Sequence, residues 1–198
     1  MILRSGKRVA VLLTAVALMA ALSGCYKTAK PVSISQRTNV FAEVNDTAPP
    51  PEGMVHLTLK ASVKTPTPEH YLLESKPLKP LSEGFPFELE VDGQEIVWKV
   101  QGALEKTPVS GPEGRLPEGG EGLRYILDKT IRLAAGPHHV VFGVPYDDYY
   151  TEVKISLEEG EAHTLEFQPI YAMGRRGYET FFRGISRSAV FLDGTRIK

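Results

Sequence analysis

From Val55 onward the chain alternates: Val55, Leu57, Leu59, Ala61 and Val63 fall on one parity, and His56, Thr58, Lys60, Ser62 and Lys64 on the other. Period-two patterning sets one face of an extended strand against a core and the other toward water. Phe85, Phe87, Leu89 and Val91 repeat the pattern, meet Asp92-Gly93, and continue at Ile96, Trp98 and Val100. Asp-Gly between two apolar alternations predicts a hairpin, because glycine takes the positive φ that the tight turn requires. Tyr125, Leu127, Lys129, Ile131 and Leu133 make another strand, broken at Ala135-Gly136-Pro137, and Val140, Phe142 and Val144 resume beyond the break. Val153, Ile155 and Leu157, then Leu165 and Phe167, flank Glu158-Glu159-Gly160-Glu161 and read as a further hairpin-like unit.

Helical spacing is scarce by comparison. Thr67 before Pro68 can cap one short helix running through Leu73 and ending ahead of Pro77. Several short strands punctuated by Gly and Pro turns predict a mostly β fold, an antiparallel sandwich spanning residues 54–170.

A different pattern opens the chain. Behind Arg4, Lys7 and Arg8, the run Val9 to Leu22 is apolar and closes on Leu22-Ser23-Gly24-Cys25. A basic start, an apolar centre and small residues before the cut are the three parts of an export signal, here residues 1–24. The run is shorter than the roughly 20 apolar residues that a membrane-spanning helix needs. Cleavage therefore fits it better than permanent insertion. Cys25 is the only cysteine of the chain, so once it is modified no thiol remains for a disulfide, a thiolate metal site or a nucleophile.

The Leu22-Ser23-Gly24-Cys25 box resembles the lipobox of bacterial lipoproteins. The resemblance implies diacylglycerol on the Cys25 thiol, removal of the signal before it, and acylation of the freed amine. Two or three acyl chains together hold a protein firmly on a bilayer without any spanning helix. By the sorting pattern of the family, Tyr26 after the cysteine implies the outer membrane. No further cofactor is expected.

Removing the signal leaves residues 25–198, enough for one domain with a sizeable core. Lys plus Arg falls from 23 to 20 against an unchanged 24 Asp plus Glu, leaving the mature chain near net −4. Nothing in that balance suits nucleic-acid binding. Residues 25–53 are mostly polar and finish in Ala48-Pro49-Pro50-Pro51-Glu52-Gly53, which reads as a tether because proline cannot donate to a sheet ladder. Val40 with Val44, or Val32 with Ile34, leaves a peripheral strand as the alternative. Residues 102–122 are rich in Gly and Pro and read as a disordered loop. From Tyr171 the basic segment 171–198, with a final strand as an option, sets Arg175, Arg176, Arg183, Arg187, Arg196 and Lys198 against only Glu179 and Asp193. Arg175, Arg176, Arg183 and Arg187, interleaved with Tyr178, Phe181 and Phe182, are candidates for binding an anionic partner, whether lipid head groups, glycan phosphates or an acidic protein face.

The stretch Leu133-Ala134-Ala135-Gly136-Pro137-His138-His139-Val140-Val141-Phe142, followed by Tyr149-Tyr150, Val153 to Leu157, Gly160, and Leu165 to Phe167, resembles the PEGA-type β-sandwich modules of bacterial envelope proteins. Val91-Asp92-Gly93-Gln94 resembles the early Asp-Gly turn of those modules. The resemblance covers about residues 85–170 and implies a surface or scaffolding accessory, with no catalytic residue carried over. Val-Asp-Gly-x-x-Ile also echoes in Leu-Asp-Gly-x-x-Ile at Asp193-Gly194, too short a match to establish an internal repeat.

Candidate chemistry is thin. His138 and His139 are adjacent, so on a strand they face opposite ways and cannot share one metal without distortion; packing or turn roles are expected. Asp147-Asp148 lacks the spaced ligands of a calcium loop and reads as a polar turn. No Gly-x-Ser-x-Gly elbow and no His-Glu-x-x-His metal helix is present. The sequence therefore points to a non-catalytic, lipid-anchored envelope protein that binds or scaffolds an envelope protein or glycan. The competing reading is a small-molecule or glycan-binding envelope enzyme built on Trp98, Tyr146, Tyr149 and Tyr150.

Overall fold

The computed structural model describes Lys30 and residues 37–44, 48–68 and 84–198. The export signal, the lipobox with Cys25, and residues 69–73 of the expected short helix lie outside the described residues. What is described is mostly β. Among these residues no helix is long and apolar enough to cross a membrane.

Among the described residues thirteen strands follow one another: β1 (Phe41–Val44), β2 (Met54–Thr65), β3 (Phe85–Val91), β4 (Gln94–Val100), β5 (Ala103–Thr107), β6 (Ser110–Gly111), β7 (Gly114–Arg115), β8 (Gly120–Ala134), β9 (Gly136–Val144), β10 (Tyr149–Leu157), β11 (Ala162–Tyr171), β12 (Ile185–Leu192) and β13 (Thr195–Arg196). One sheet runs β1-β8-β2-β11-β12-β13, with β5 also paired to β8; a second runs β10-β9-β3-β4; β6 and β7 form a small separate hairpin.

The alternations seen in the sequence become the buried faces. Val55, Leu57, Leu59, Ala61 and Val63 of β2 are buried, as are Phe85, Phe87, Leu89 and Val91 of β3. Both sheets contribute to one apolar cluster. Phe142 of β9 stacks on Phe167 of β11 with ring centroids 4.0 Å apart, and Phe85 of β3 stacks on Tyr125 of β8 at 4.4 Å. Each fully buried aromatic or aliphatic side chain contributes about 1.5–3 kcal/mol.

The expected hairpin at Asp92-Gly93 forms, with Val91 opposite Gln94 and positive φ at both central residues, 48° and 92°. That combination is the type I′ turn, whose twist matches that of the flanking strands. Three expectations need correction. First, pairing is not antiparallel throughout: β2 and β11 run parallel, with Leu59 opposite Leu165. They are far apart in sequence, so the chain has room for the crossover that parallel neighbours demand.

Second, β10 and β11 are not a hairpin, because β10 belongs to the four-stranded sheet and β11 to the larger one. The turn around Gly160 carries the chain between sheets, as Ala135 and Gly136 do between β8 and β9. Third, residues 102–122 are not one structureless loop: β5, the β6–β7 hairpin and the start of β8 lie there. In the basic segment 171–198 the final-strand option is the one that forms, since β12 pairs with β11 along seven residues from Leu165 to Tyr171. Within the stretch read as a tether, Phe41 to Val44 pair with Leu133 to Thr130 as β1, the peripheral-strand alternative.

Candidate functional site

Excursion 102–122 is fastened by charge. Lys64 lies on the parity expected to face water, yet its side chain is 0% exposed. Its ammonium donates to Thr107 Oγ1 at 2.8 Å, to the Glu118 carbonyl at 3.0 Å and to the Gly120 carbonyl at 2.8 Å, and lies 3.4 Å from Glu105. The face of Phe181 covers it at 5.1 Å. The returning chain thus supplies the oxygens that a buried ammonium requires.

Arg124 extends this network. It grips Glu118 with both terminal nitrogens, at 2.9 and 2.5 Å, and Glu105 through Nε at 3.0 Å. Tyr171 donates to Glu118 at 2.7 Å and accepts the Lys64 backbone N–H at 2.9 Å. Burial raises the pKa of the Glu118 carboxyl, but the hydrogen bonds from Arg124 and Tyr171 outweigh it, so the net shift is downward. Burial and the neighbouring Glu118 charge push the Tyr171 phenol upward. Glu118 is a fixed anion here and Tyr171 a fixed donor.

Against this network opens a cleft of about 370 Å³, lined by Thr107, Leu116, Pro117, Glu118, Pro169, Ile170, Tyr171 and Glu179. Its floor is mainly apolar. Two loops frame it, joined where Phe181 N–H donates to the Pro117 carbonyl at 3.0 Å and Arg115 lies over the Tyr178 ring at 4.4 Å.

The arginines singled out in the sequence fall on this framework. Arg175 and Arg176 occupy the exposed centre of a turn closed by Gly177 N–H to the Gly174 carbonyl at 3.0 Å. Met173 beside them is 60% exposed. Arg187 stands opposite Ile170 across the β11–β12 ladder and reaches Glu179 at 3.9 Å, so it flanks the cleft. Arg183 is exposed at the end of a 3-10 turn, Phe181–Arg183. Arg115 joins this group although the sequence offered no sign of it, because it sits in the Gly- and Pro-rich stretch whose pairing depends on Lys64.

The aromatic set of the competing reading is not assembled. Trp98 is buried on β4 with its indole N–H donating to Glu43 at 3.0 Å, and Tyr149 reaches Ser188 at 2.7 Å. Tyr150, on the other face, lies over Gly143, where an added Cβ would be 2.5 Å from the ring. Tyr146 sits near Phe85, with ring centroids 5.7 Å apart.

His138 and His139 do face opposite ways, one buried and one half-buried. The His138 ring meets Asp92 Oδ2 at 2.7 Å through Nδ1, and the other Asp92 oxygen accepts the His139 backbone N–H at 2.8 Å. His163 repeats the arrangement: its Nδ1 meets Asp193 Oδ2 at 2.8 Å, and Asp193 Oδ1 accepts the Thr164 N–H at 2.7 Å. Asp193 and Gly194 also have positive φ, 50° and 77°. The short sequence echo is therefore a repeated device, an Asp-Gly turn pinning a histidine where the chain enters a new sheet.

Asp147 caps the Ile185 N–H at 3.0 Å instead of standing open to a cation. Among the described residues no three His, Cys, Asp or Glu side chains gather as a metal site. No protein family, curated protein or solved structure matches the chain.

Proposed function

We propose that this chain is a non-catalytic lipoprotein of the bacterial cell envelope, anchored to the outer membrane through acyl chains on Cys25 and carrying a PEGA-like β-sandwich that binds or scaffolds another envelope component. The observation that carries the reading is the position of the only thiol, at the end of a lipobox behind an export signal. Covalent lipid supplies the membrane attachment, at about 0.8 kcal/mol per buried CH2. The sandwich reading is supported by aromatic stacks between the two sheets and by the His–Asp clamps at two of the crossings between them, β8 to β9 and β10 to β11.

Arg115 and Arg187 flank an apolar cleft, with Arg175 and Arg176 on the adjoining turn. Arginine pairs with carboxylate and phosphate through a planar fork, which suits an anionic envelope partner. The test is crosslinking in intact cells, comparing the full chain with a variant carrying Gln at positions 175, 176, 183 and 187. A discrete larger adduct that fades in the variant is expected. Recovery of monomer alone from both would overturn the binding role.

A further inference from the structure

We infer that the arginine-flanked cleft takes an acidic protein segment, which seats one large apolar side chain against Leu116 and Ile170 and pairs its flanking carboxylates with Arg115 and Arg187. The inference rests on the binding role proposed for this cleft and names the partner. The walls are mainly aliphatic: Leu116, Pro117, Pro169 and Ile170 line a volume of about 370 Å³, room for a large side chain. Leu116 is 40% exposed, and Met173, bridged to Glu179 of the lining, is 60% exposed. Exposed apolar side chains at a centre with arginine around them are the anatomy of a protein–protein contact.

The same lining disfavours other anionic partners. A sugar ring stacks on an open aromatic face, but Tyr171 is 2% exposed with its hydroxyl spent on Glu118, and the Tyr178 ring has Arg115 over it at 4.4 Å. A phosphate inside the cleft would lie against the carboxylates of Glu118 and Glu179, a like-charge contact at short range. An apolar side chain meets neither obstacle. At the rim the sign reverses. Glu118 is already matched by Arg124, whereas Arg187, its side chain 72% exposed, holds Glu179 only at 3.9 Å, and Arg175 and Arg176 are exposed on the adjoining turn. That turn is set before any partner arrives: Gly174 N–H donates to the Tyr178 carbonyl at 2.8 Å, and Thr180 N–H to the Ala172 carbonyl at 3.1 Å. A preformed rim lowers the ordering cost of binding.

Short random peptides displayed on phage are panned on the full chain, made with its own leader and held in detergent. Enriched peptides should carry a large apolar residue with Asp or Glu on both sides. By fluorescence anisotropy, a labelled enriched peptide should bind about tenfold or more weaker when its apolar residue becomes Ser or when Leu116→Glu puts a charge in the cleft, and about threefold weaker to Arg187→Gln. Panning on Arg187→Glu should move the selection to Lys or Arg on one flank, a change that misfolding would not produce. Enriched peptides that lack the pattern, or that bind Leu116→Glu and Arg187→Glu as they bind wild type, overturn the inference. So does a dimer in sedimentation that Leu116→Glu abolishes, since a second copy would then be the occupant. If glucose 1-phosphate or glycerol 3-phosphate binds wild type but not Arg187→Gln, and no patterned peptide is enriched, the binding role stands and its protein partner falls. If neither phosphate nor any peptide binds, the binding role falls with it.

Discussion

Replacing Lys64 with Met keeps the length and packing of the side chain on Phe181 and removes only the ammonium. The Gly120 carbonyl then loses its lysine donor, whereas the Glu118 carbonyl keeps the Thr107 hydroxyl. The single Thr107 hydroxyl, also 3.3 Å from the Gly120 carbonyl, must then serve both half-buried oxygens, and leaving one of them short of a donor costs about 1–3 kcal/mol. Charge adds to this, because Arg124 alone must then face both Glu105 and Glu118. Breaking a fully buried pair costs about 3–5 kcal/mol. Glu105 is 34% exposed and water takes up part of that loss, so the sum falls near 2–4 kcal/mol. For a chain of this size that lowers Tm by about 5–15 °C. Urea unfolding of wild type and Lys64→Met measures the difference, and hydrogen exchange locates it: amides of β5 and residues 118–122 should lose protection ahead of β9 and β10. A loss within about 0.5 kcal/mol, the range of ordinary surface substitutions, with unchanged exchange in β5 would refute the idea that Lys64 fastens the excursion.

Other consequences follow from the same packing. At the Asp193–His163 clamp, burial lowers the His163 pKa, but the hydrogen bond and charge of Asp193 with the Glu158 carbonyl more than offset it, leaving it above its ordinary 6.5; Asp193 is lowered from 3.8 because His163 and the Thr164 N–H outweigh its own burial. The histidine share is complete below 6.5 and lost as pH rises through the raised value, while the aspartate share is present above 3.8 and lost as pH falls through the lowered one. The stability difference between wild type and Asp193→Asn should therefore peak between those pH values at about 1 kcal/mol or less, screened by water because Asp193 is 47% exposed; a difference that grows toward pH 9 contradicts it. Gly122→Ala would set a Cβ 2.5 Å from the Thr65 carbonyl oxygen and 2.9 Å from the Phe181 ring. Because backbone cannot yield as a side-chain tip can, thermal melts should reveal a loss of about 1–3 kcal/mol.

Strands whose inner and outer residues differ sharply were legible in the sequence. β2, apart from Lys64, β4 and β10 each turn their more polar parity toward water, and the Asp92-Gly93 turn announced itself through residue types that alone accept its backbone angles. β12 was obscured because Arg187 and the serines dominate Ile185-Ser186-Arg187-Ser188-Ala189, leaving little apolar alternation. Which sheet each strand joins was not legible either. Nothing local distinguishes the Gly160 turn, which crosses between sheets, from one that returns within a sheet. Lys64 misled for a related reason: its parity is polar in sequence, and only β5 folding over it makes it buried. Of the candidate site, the four arginines could be read from charge alone. The cleft, Arg115, and the Glu118–Arg124–Tyr171 network could not, because Glu118 and Tyr171 are 53 residues apart and Arg115 meets Tyr178 from a stretch still more distant in sequence.

Membrane attachment of this chain turns on lipid bound to the sulfur of Cys25. Intact-mass and peptide mass spectrometry of the protein isolated from membranes tests it most directly. A mature chain beginning at Cys25 and carrying diacylglyceryl and N-acyl mass is expected. An N-terminal peptide that begins elsewhere, or one containing Cys25 without added lipid, would contradict it.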